Sequence, residues 1–433
     1  MQTLQGFRDY TPAEMRKREY LIACIKTVYE RFGFEPIDTP ALEYAELLMG
    51  KYGEDEKLIY HFQDHGDRHV ALRYDLTVPL ARFVANHPEL PKPFKRYHVA
   101  PVWRADSPQK GRLREFKQFD ADIIGSSSPL ADAEILIIMT EIMKAIDVSN
   151  YAIKVNHRGV INGMLRNIGV LSKDIPLVMR TVDKIAKIGP EKVKSILSDV
   201  LEQKVIDDIM KFIEAVDEEV AMADLTQLFE GDVEALAALQ NLKEILSILP
   251  SGVAKNIRLD LSIMRGLDYY TGLIYETYLT SGENVGGIIQ GGRYDNLMNQ
   301  LAGVSVPAIG TSFGVDRMLA AIGDKEIDFE FPIFMPVFPG LEKESVELAQ
   351  KIRDMGINVS LSAIDGKIGK QMQYANSIGA KFVLLYGEEE VKKNIVQVRN
   401  MLTGEQSGLD VKDMPALVDE INQSSEERSK IKD

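Results

Sequence analysis

Residues 94–124 read FKRYHVAPVWRADSPQKGRLREFKQFDADII, and this stretch decides the fold. Phe94–Arg104 and Phe116–Ile124 are rich in aromatic and β-branched residues, and the segment between them holds Asp106, Ser107, Pro108 and Gly111. A run, a turn-rich loop and a second run at this spacing predict two long antiparallel strands. In the second strand Phe119, Ala121 and Ile123 alternate with Gln118, Asp120 and Asp122, so Gln118 and Asp122 share a face. Two readings of that face stand. It is a polar face in water, or it lines a pocket whose amide and carboxylates suit an ammonium or an imidazole. Arg73-Tyr74-Asp75-Leu76-Thr77 shows the same alternation.

Outward from the hairpin, the charge is unevenly placed. The 433 residues carry a formal net charge of -14, which argues against a general polyanion binder. Yet 92–118 holds Lys92, Lys95, Arg96, Arg104, Lys110, Arg112, Arg114 and Lys117 against only Asp106 and Glu115. The acid is concentrated in 201–234, where eleven Asp and Glu face only Lys204 and Lys211. That segment has helical periodicity and reads as a solvated face. In the basic hairpin, an arginine on the strand and another at the far end of the loop suit a polyphosphate; a solvated basic hairpin is the plainer reading.

Thr11-Pro12-Ala13-Glu14 is a capping box with proline at the first helical position, followed by Leu21, Ile25, Val28, Tyr29 and Phe32 on one face. The run to Thr39-Pro40 predicts a strand, and short strands are expected at Leu58–Phe62 and His69–Arg73. Ala131–Ile146 returns to helix. From about 160 to 250 the pattern is helical and acidic, which predicts an inserted helical segment. Strand signals resume at Ile274–Leu279, Ile288–Gln290 and Ala308–Phe313, the last running into a helix near Val315. Beyond Pro332, Pro336 and Pro339, alternating strands and helices predict a small α/β domain with a partly parallel sheet.

Several chemistries are excluded. One cysteine, Cys24, permits neither a disulfide framework nor a CxxC site. Gly310-Thr311-Ser312-Phe313-Gly314 fits the G-x-S-x-G elbow, but no histidine follows His157 to serve as base in the hydrolase order. Its glycines read instead as room for close strand–helix packing. Met1–Pro12 lacks the apolar core of a signal peptide, and the longest apolar run, Ile135–Met139, is too short to span a bilayer. A reduced, cytoplasmic, soluble protein with no membrane contact is expected. Two Gly-Gly pairs in 286–293 allow a ligand or a backbone to approach closely. Arg317, at the start of a helix, is well placed for anions.

Together these segments resemble the class II aminoacyl-tRNA synthetases, and within them the histidyl-tRNA synthetase family. Phe34–Pro40 looks like motif 1. Tyr97 through Trp103-Arg104 to Arg112-Leu113-Arg114-Glu115-Phe116 looks like motif 2, and Gly310–Gly314 with Val315-Asp316-Arg317 like motif 3. Arg265-Gly266-Leu267-Asp268-Tyr269-Tyr270-Thr271-Gly272 is similar to the histidine-specific signature, and Gly291-Gly292-Arg293-Tyr294-Asp295 to its companion. Many bacterial-type members carry R-P-E-G-T where this chain has Arg73-Tyr74-Asp75-Leu76-Thr77. Asp75 is one methylene shorter than that glutamate.

The resemblance implies an α+β fold with a class II antiparallel sheet flanked by helices. Residues 1–160 and 251–328 would form the catalytic domain, 161–250 a helical insertion, 332–424 an α/β anticodon-binding domain, and 425–433 a polar tail. It implies activation of L-histidine by ATP with Mg²⁺, transfer to tRNA(His), and a homodimer built on motif 1. By the same resemblance Arg104 and Arg265 are catalytic: Arg104 holds the α-phosphate, and Arg265 contacts that phosphate and the histidine carboxylate. Arg112 and Arg317 hold the outer phosphates. Asp75, Thr77, Gln118 and Asp122 hold the amino group, with Tyr269 and Tyr270 around the imidazole. A related non-catalytic regulatory subunit of ATP phosphoribosyltransferase shares the sheet, but Arg265 and the extra C-terminal residues favour the enzyme. A class II synthetase for another amino acid shares motifs 2 and 3, and Tyr269-Tyr270 counts against it.

Overall fold

Helix α1 (Pro12–Arg31) begins where the capping box predicts. The Thr11 hydroxyl accepts from the Glu14 amide, and Glu14 reaches back to the Thr11 amide. It buries Leu21, Ile22, Ile25, Val28 and Tyr29, and ends before Gly33 at φ +77°. The computed structural model describes residues 1–433 except 51–52, 109–112, 215–217, 265–269, 282–285, 304–305, 324–332 and 412–433. Arg112, Arg265, Tyr269 and the tail 425–433 therefore lie outside the described residues.

The described residues form two compact units, Met1–Lys325 and Glu326–Asp433. In the first, the elements that follow α1 are β1 (Glu35–Pro36), β2 (Leu42–Tyr44), α2 (Ala45–Leu48), β3 (His61–Gln63), β4 (His69–Leu72) and α3 (Thr77–Asn86). Next come β5 (Phe94–Trp103), β6 (Glu115–Ile124), α4 (Pro129–Ala145), β7 (Tyr151–His157), β8 (Ile257–Leu259), β9 (Leu273–Leu279), β10 (Ile289–Arg293) and β11 (Ala308–Gly314). An eight-stranded sheet runs in the order β1-β5-β6-β11-β10-β9-β7-β8. Every neighbouring pair is antiparallel except β1–β5 and β7–β8 at its two edges. A separate three-stranded sheet has the order β2-β4-β3.

One face of the large sheet is apolar. Tyr97, Phe119, Ala121, Ile123, Tyr275, Ile289, Ile309 and Phe313 pack with α1 and with Ile135, Leu136, Ile138, Met139, Ile142 and Met143 of α4. Burying each large apolar side chain contributes about 1.5–3 kcal/mol, so this face anchors the sheet. The segment 161–250 carries helices and no strand among its described residues. It belongs to the first compact unit: Leu242 and Ile245 join the apolar face, while Val160, Ile161, Met164 and Leu239 cluster with Tyr270, Ile274 and Tyr294. The acidic stretch buries Ile206, Ile209, Met210 and Phe212 and leaves Glu202, Asp207, Glu214 and Glu230 in solvent, as its periodicity predicts.

Two local expectations need correction. The strand expected from Phe34 to Pro40 pairs only at Glu35–Pro36, because Pro36 and Pro40 have no amide to donate. Asp75 and Thr77 are not on a strand. Asp75 Oδ1 accepts from the amides of Thr77 and Val78 at 3.0 Å each, which starts α3 at Thr77.

The second unit holds β12 (Ile333–Met335), β13 (Val359–Leu361), β14 (Phe382–Leu385), β15 (Ile395–Asn400) and β16 (Gln406–Asp410). Their order is β13-β12-β14-β15-β16. β12 is parallel to both of its neighbours and β15 antiparallel to both of its own, which gives the partly parallel sheet expected.

Candidate active site

The opposite face of the large sheet is polar, and its register assembles the site. Gln118, Asp120 and Asp122 of β6 pair with Ala100, His98 and Arg96 of β5, and with Gly314, Ser312 and Gly310 of β11. Directly paired residues share a face, so all nine positions look the same way. The face is not in water: Arg96, His98, Gln118, Asp120 and Asp122 are all buried. Of the two readings of the alternating strand, the structure excludes a polar face in water.

Room for the carboxylates comes from glycine. A Cβ on Gly310 would lie 1.8 Å from Asp122 Oδ1, and one on Gly292 2.9 Å from the Tyr270 ring. Gly310 thus admits Asp122 across the sheet, a different role from the strand–helix packing expected. Asp122 pairs with Arg96 and accepts from the Tyr294 hydroxyl. Tyr294 follows Arg293 in the chain, and the Arg293 guanidinium grips Asp132 through Nη2–Oδ2 at 2.6 Å and Nε–Oδ1 at 3.0 Å. Gln118 Nε2 donates to Ser312 Oγ at 2.9 Å.

Burial sets the protonation chemistry. It pushes Asp120 up to about 7, against the pull of Arg96 and of the Ser312 hydroxyl paired with it across the ladder. Arg96 and His98 lie beside Asp120 on β5, Ser312 on β11 and Asp122 on its own strand; Asp75, before α3, acts on it electrostatically, as does Tyr29 of α1 from the other side of the sheet. Asp122 is raised by burial as well. Burial beside Arg96 lowers His98 to about 4, although its Nε2 lies 2.8 Å from Asp38 Oδ1. Gln118 Oε1, Asp120 Oδ1 and Arg96 Nε are buried with no hydrogen-bond partner in the protein. Such orphaned polar atoms are rare in folded proteins, and several of them stand together on this face.

A prediction follows for Asp120. Between its unfolded value of 3.8 and about 7, the folded state binds more protons than the unfolded one, so this group's contribution to stability falls as pH rises. Asp120→Asn cannot titrate. Its stability should improve relative to the parent as pH rises through that window and then level off, as urea unfolding at a series of pH values will read. A pH-independent difference would contradict the assignment.

The other end of the same face is cationic. Arg104 follows β5, one position beyond the Trp103↔Glu115 pair. Its Nε donates to the Tyr74 carbonyl at 3.0 Å, and its guanidinium lies 4.4 Å from the Tyr74 ring centre and 5.2 Å from that of Phe116. Arg317 lies in the first turn of the helix Val315–Ile322 and donates to the Gly287 carbonyl at 2.5 Å. Its neighbour Asp316 accepts from Tyr10 Oη at 2.9 Å and the Lys117 amide at 3.1 Å, and pairs with Arg18. The face therefore runs from Asp122, paired with Arg96, and Asp120 through the Gln118 amide to guanidinium at Arg104 and, in the helix that follows β11, at Arg317. That suits a molecule with an ammonium at one end joined to a polyphosphate at the other.

The family model for histidyl-tRNA synthetase matches residues 6–318, and that for an anticodon binding domain matches 333–421. A histidine–tRNA ligase of Rhodopirellula baltica is 41% identical over 416 residues, covering 93% of this chain and 94% of the relative. The chain belongs to the histidyl-tRNA synthetase family. A histidine–tRNA ligase of Treponema denticola is 43% identical over 327 residues, 74% of this chain and 72% of its own. The crystal structure of a histidyl-tRNA synthetase from a Nostoc species superposes with a TM-score of 0.86 at 29% identity, covering 98% of this chain and 99% of that one. A Bacillus halodurans chain described as an ATP phosphoribosyltransferase regulatory subunit/histidyl-tRNA synthetase reaches 0.76 at 22% identity, which is a likeness of fold.

Of the synthetase residues expected from sequence, the structure brings Gln118 and Asp122 onto one buried face. Asp75 interacts electrostatically with Asp122, Thr77 heads α3 beside Asp75, and the Tyr270 ring sits against Gly292. Sequence reading gave no role to Arg96, Asp120, Tyr294 or Ser312. Tyr294 and Ser312 stood in quoted motifs, and Asp120 stood between two expected ligands. Arg96 was counted only as surface charge.

Proposed function

We propose that this chain is a histidine–tRNA ligase that forms histidyl-adenylate from L-histidine and ATP and then transfers histidine to the 3′ end of tRNA(His). The carrying observation is the face that runs from Asp122 through Gln118 to guanidinium at Arg104, within one antiparallel sheet. A histidine carboxylate oxygen attacks the α-phosphorus, the bond to the bridging oxygen breaks, and pyrophosphate leaves with the electron pair. Negative charge builds on the non-bridging oxygens, where preorganised guanidinium groups act without reorganising. Arg104 and Arg265 serve the α-phosphate, and Arg112 and Arg317 the outer phosphates. Asp75, Thr77, Gln118 and Asp122 hold the ammonium, with Tyr269 and Tyr270 around the imidazole. No covalent enzyme intermediate is needed.

Among the described residues no group of three or more His, Cys, Asp or Glu is placed to hold a metal ion. Mg²⁺ would offset the charge of the triphosphate. The match of 333–421 to an anticodon binding domain supports tRNA as the second substrate. A homodimer through motif 1 is supported by the exposed edge at Glu35–Pro36 and by Leu42, Tyr44 and Phe62, which stand exposed on the small sheet. A cytoplasmic setting is supported by the single free cysteine, Cys24. Among the described residues no helix is long and apolar enough to cross a membrane.

The test is amino-acid-dependent ATP–pyrophosphate exchange. Exchange with histidine alone is expected. Exchange with no amino acid would sink the enzyme reading in favour of a regulatory subunit, and exchange with another amino acid would move the specificity.

A further inference from the structure

Gln118 is the one amide in the proposed ammonium site, and an amide can face a ligand with its acceptor or with its donor. Only the acceptor helps an ammonium. Something must therefore hold the side chain the right way round. Ser312 lies directly across the sheet from Asp120 and diagonally from Gln118. The Ser312 hydroxyl has one hydrogen, and the residue paired with it across the ladder is the buried Asp120, whose carboxylate can accept it. Its lone pair is then left to accept, and it does so from Gln118 Nε2 at 2.9 Å. Turning the amide over would set two acceptors against each other, Gln118 Oε1 and Ser312 Oγ. The remaining atom, Gln118 Oε1, is buried with no partner in the protein.

We propose that Ser312 and Asp120 are positioning residues for histidine recognition, acting through Gln118 by holding its amide so that the carbonyl oxygen is presented to the ligand. Neither touches the amino acid in this account. In this relay Gln118 Nε2–H donates to Ser312 Oγ and Ser312 Oγ–H to Asp120. Removing the serine hydroxyl leaves the Gln118 amide free to turn, so the cost appears in histidine affinity. This rests on the reading of the face as the histidine site.

The test is a double-mutant cycle on Ser312→Ala and Gln118→Ala, read as KM for histidine, KM for ATP and kcat in pyrophosphate exchange. Measurements are made at about pH 8.5, where the Asp120 carboxylate is the ionised acceptor that the relay requires. Ser312→Ala is expected to raise the histidine KM by about 5–10-fold while the ATP KM and kcat stay within about twofold. Ser312→Thr, which keeps the hydroxyl, should restore the histidine KM. In the Gln118→Ala background, Ser312→Ala should add almost nothing, because the residue it acts through is gone. An unchanged histidine KM in Ser312→Ala, or an equal cost with and without Gln118, overturns the relay. Loss spread evenly over both substrates also overturns it, since that is the mark of a packing role. If the parent enzyme shows no histidine-dependent exchange, the site reading itself fails, and the proposal with it.

Discussion

Arg104→Ala lowers the rate of histidine-dependent ATP–pyrophosphate exchange by roughly 10²–10³-fold, the cost of deleting one preorganised donor aimed at developing charge. The expectation rests on how the side chain is held. Its Nε donates to the Tyr74 carbonyl at 3.0 Å, and its guanidinium lies against the rings of Tyr74 and Phe116, 4.4 Å and 5.2 Å from their centres. A group held by a hydrogen bond and two rings loses little entropy when phosphate arrives. Arg104→Lys should recover only a small part of the rate, because an ammonium neither stacks on the rings nor forks to two oxygens. The fold should survive both changes. Rates within threefold of the parent enzyme would show that another residue carries this role.

The second large effect concerns stability. Arg293→Ala should destabilise the first unit by about 3–5 kcal/mol, because it strands a buried carboxylate. Arg293 makes two bonds to Asp132, at 2.6 Å and 3.0 Å, and a third to the Ser126 carbonyl at 2.9 Å. The Asp132 side chain is only 2% exposed, so water cannot replace the lost partner. Urea unfolding followed by circular dichroism reads the change as a fall in midpoint. Replacing both partners, Arg293→Met with Asp132→Leu, should recover much of the loss, since the buried carboxylate goes with its partner, while Asp295, also paired with Arg293 at 3.2 Å, is in reach of water. Equal destabilisation by the single and the double change would mean the pair contributes through packing alone. Activity offers a second reading: Tyr294 follows Arg293 in the chain and bonds Asp122, so histidine affinity should fall as well.

Much of this was legible because it is local. The capping box at Thr11–Glu14, the β5–β6 hairpin, the helical run after 160 and the βαβ order beyond Pro332 each lie within one window of turn chemistry and periodicity. Asp75 shows where locality misleads. Its alternation with Arg73 and Thr77 imitates a strand, yet Pro79 in the following turn and an acid two residues before Thr77 are the start signal of α3. Arg293 shows the same limit from the other side. A motif quoted for its resemblance to a histidine signature turns out to place its arginine on Asp132, 161 residues earlier.

By itself the sequence determined the element types, the two faces of β6, the cationic hairpin and the family signatures, since each is encoded by residue type and spacing along the chain. The tertiary structure decided which strand lies beside β6. Alternation assigns side chains to a face but says nothing of the neighbour across the ladder. Only the pairing of β6 with β11 sets Gln118 against Ser312, 194 residues away, and opens Gly310 to Asp122. Burial belongs to the tertiary level for the same reason. Asp120 is an ordinary acid until the strands around it exclude water, and with that its proton affinity is set.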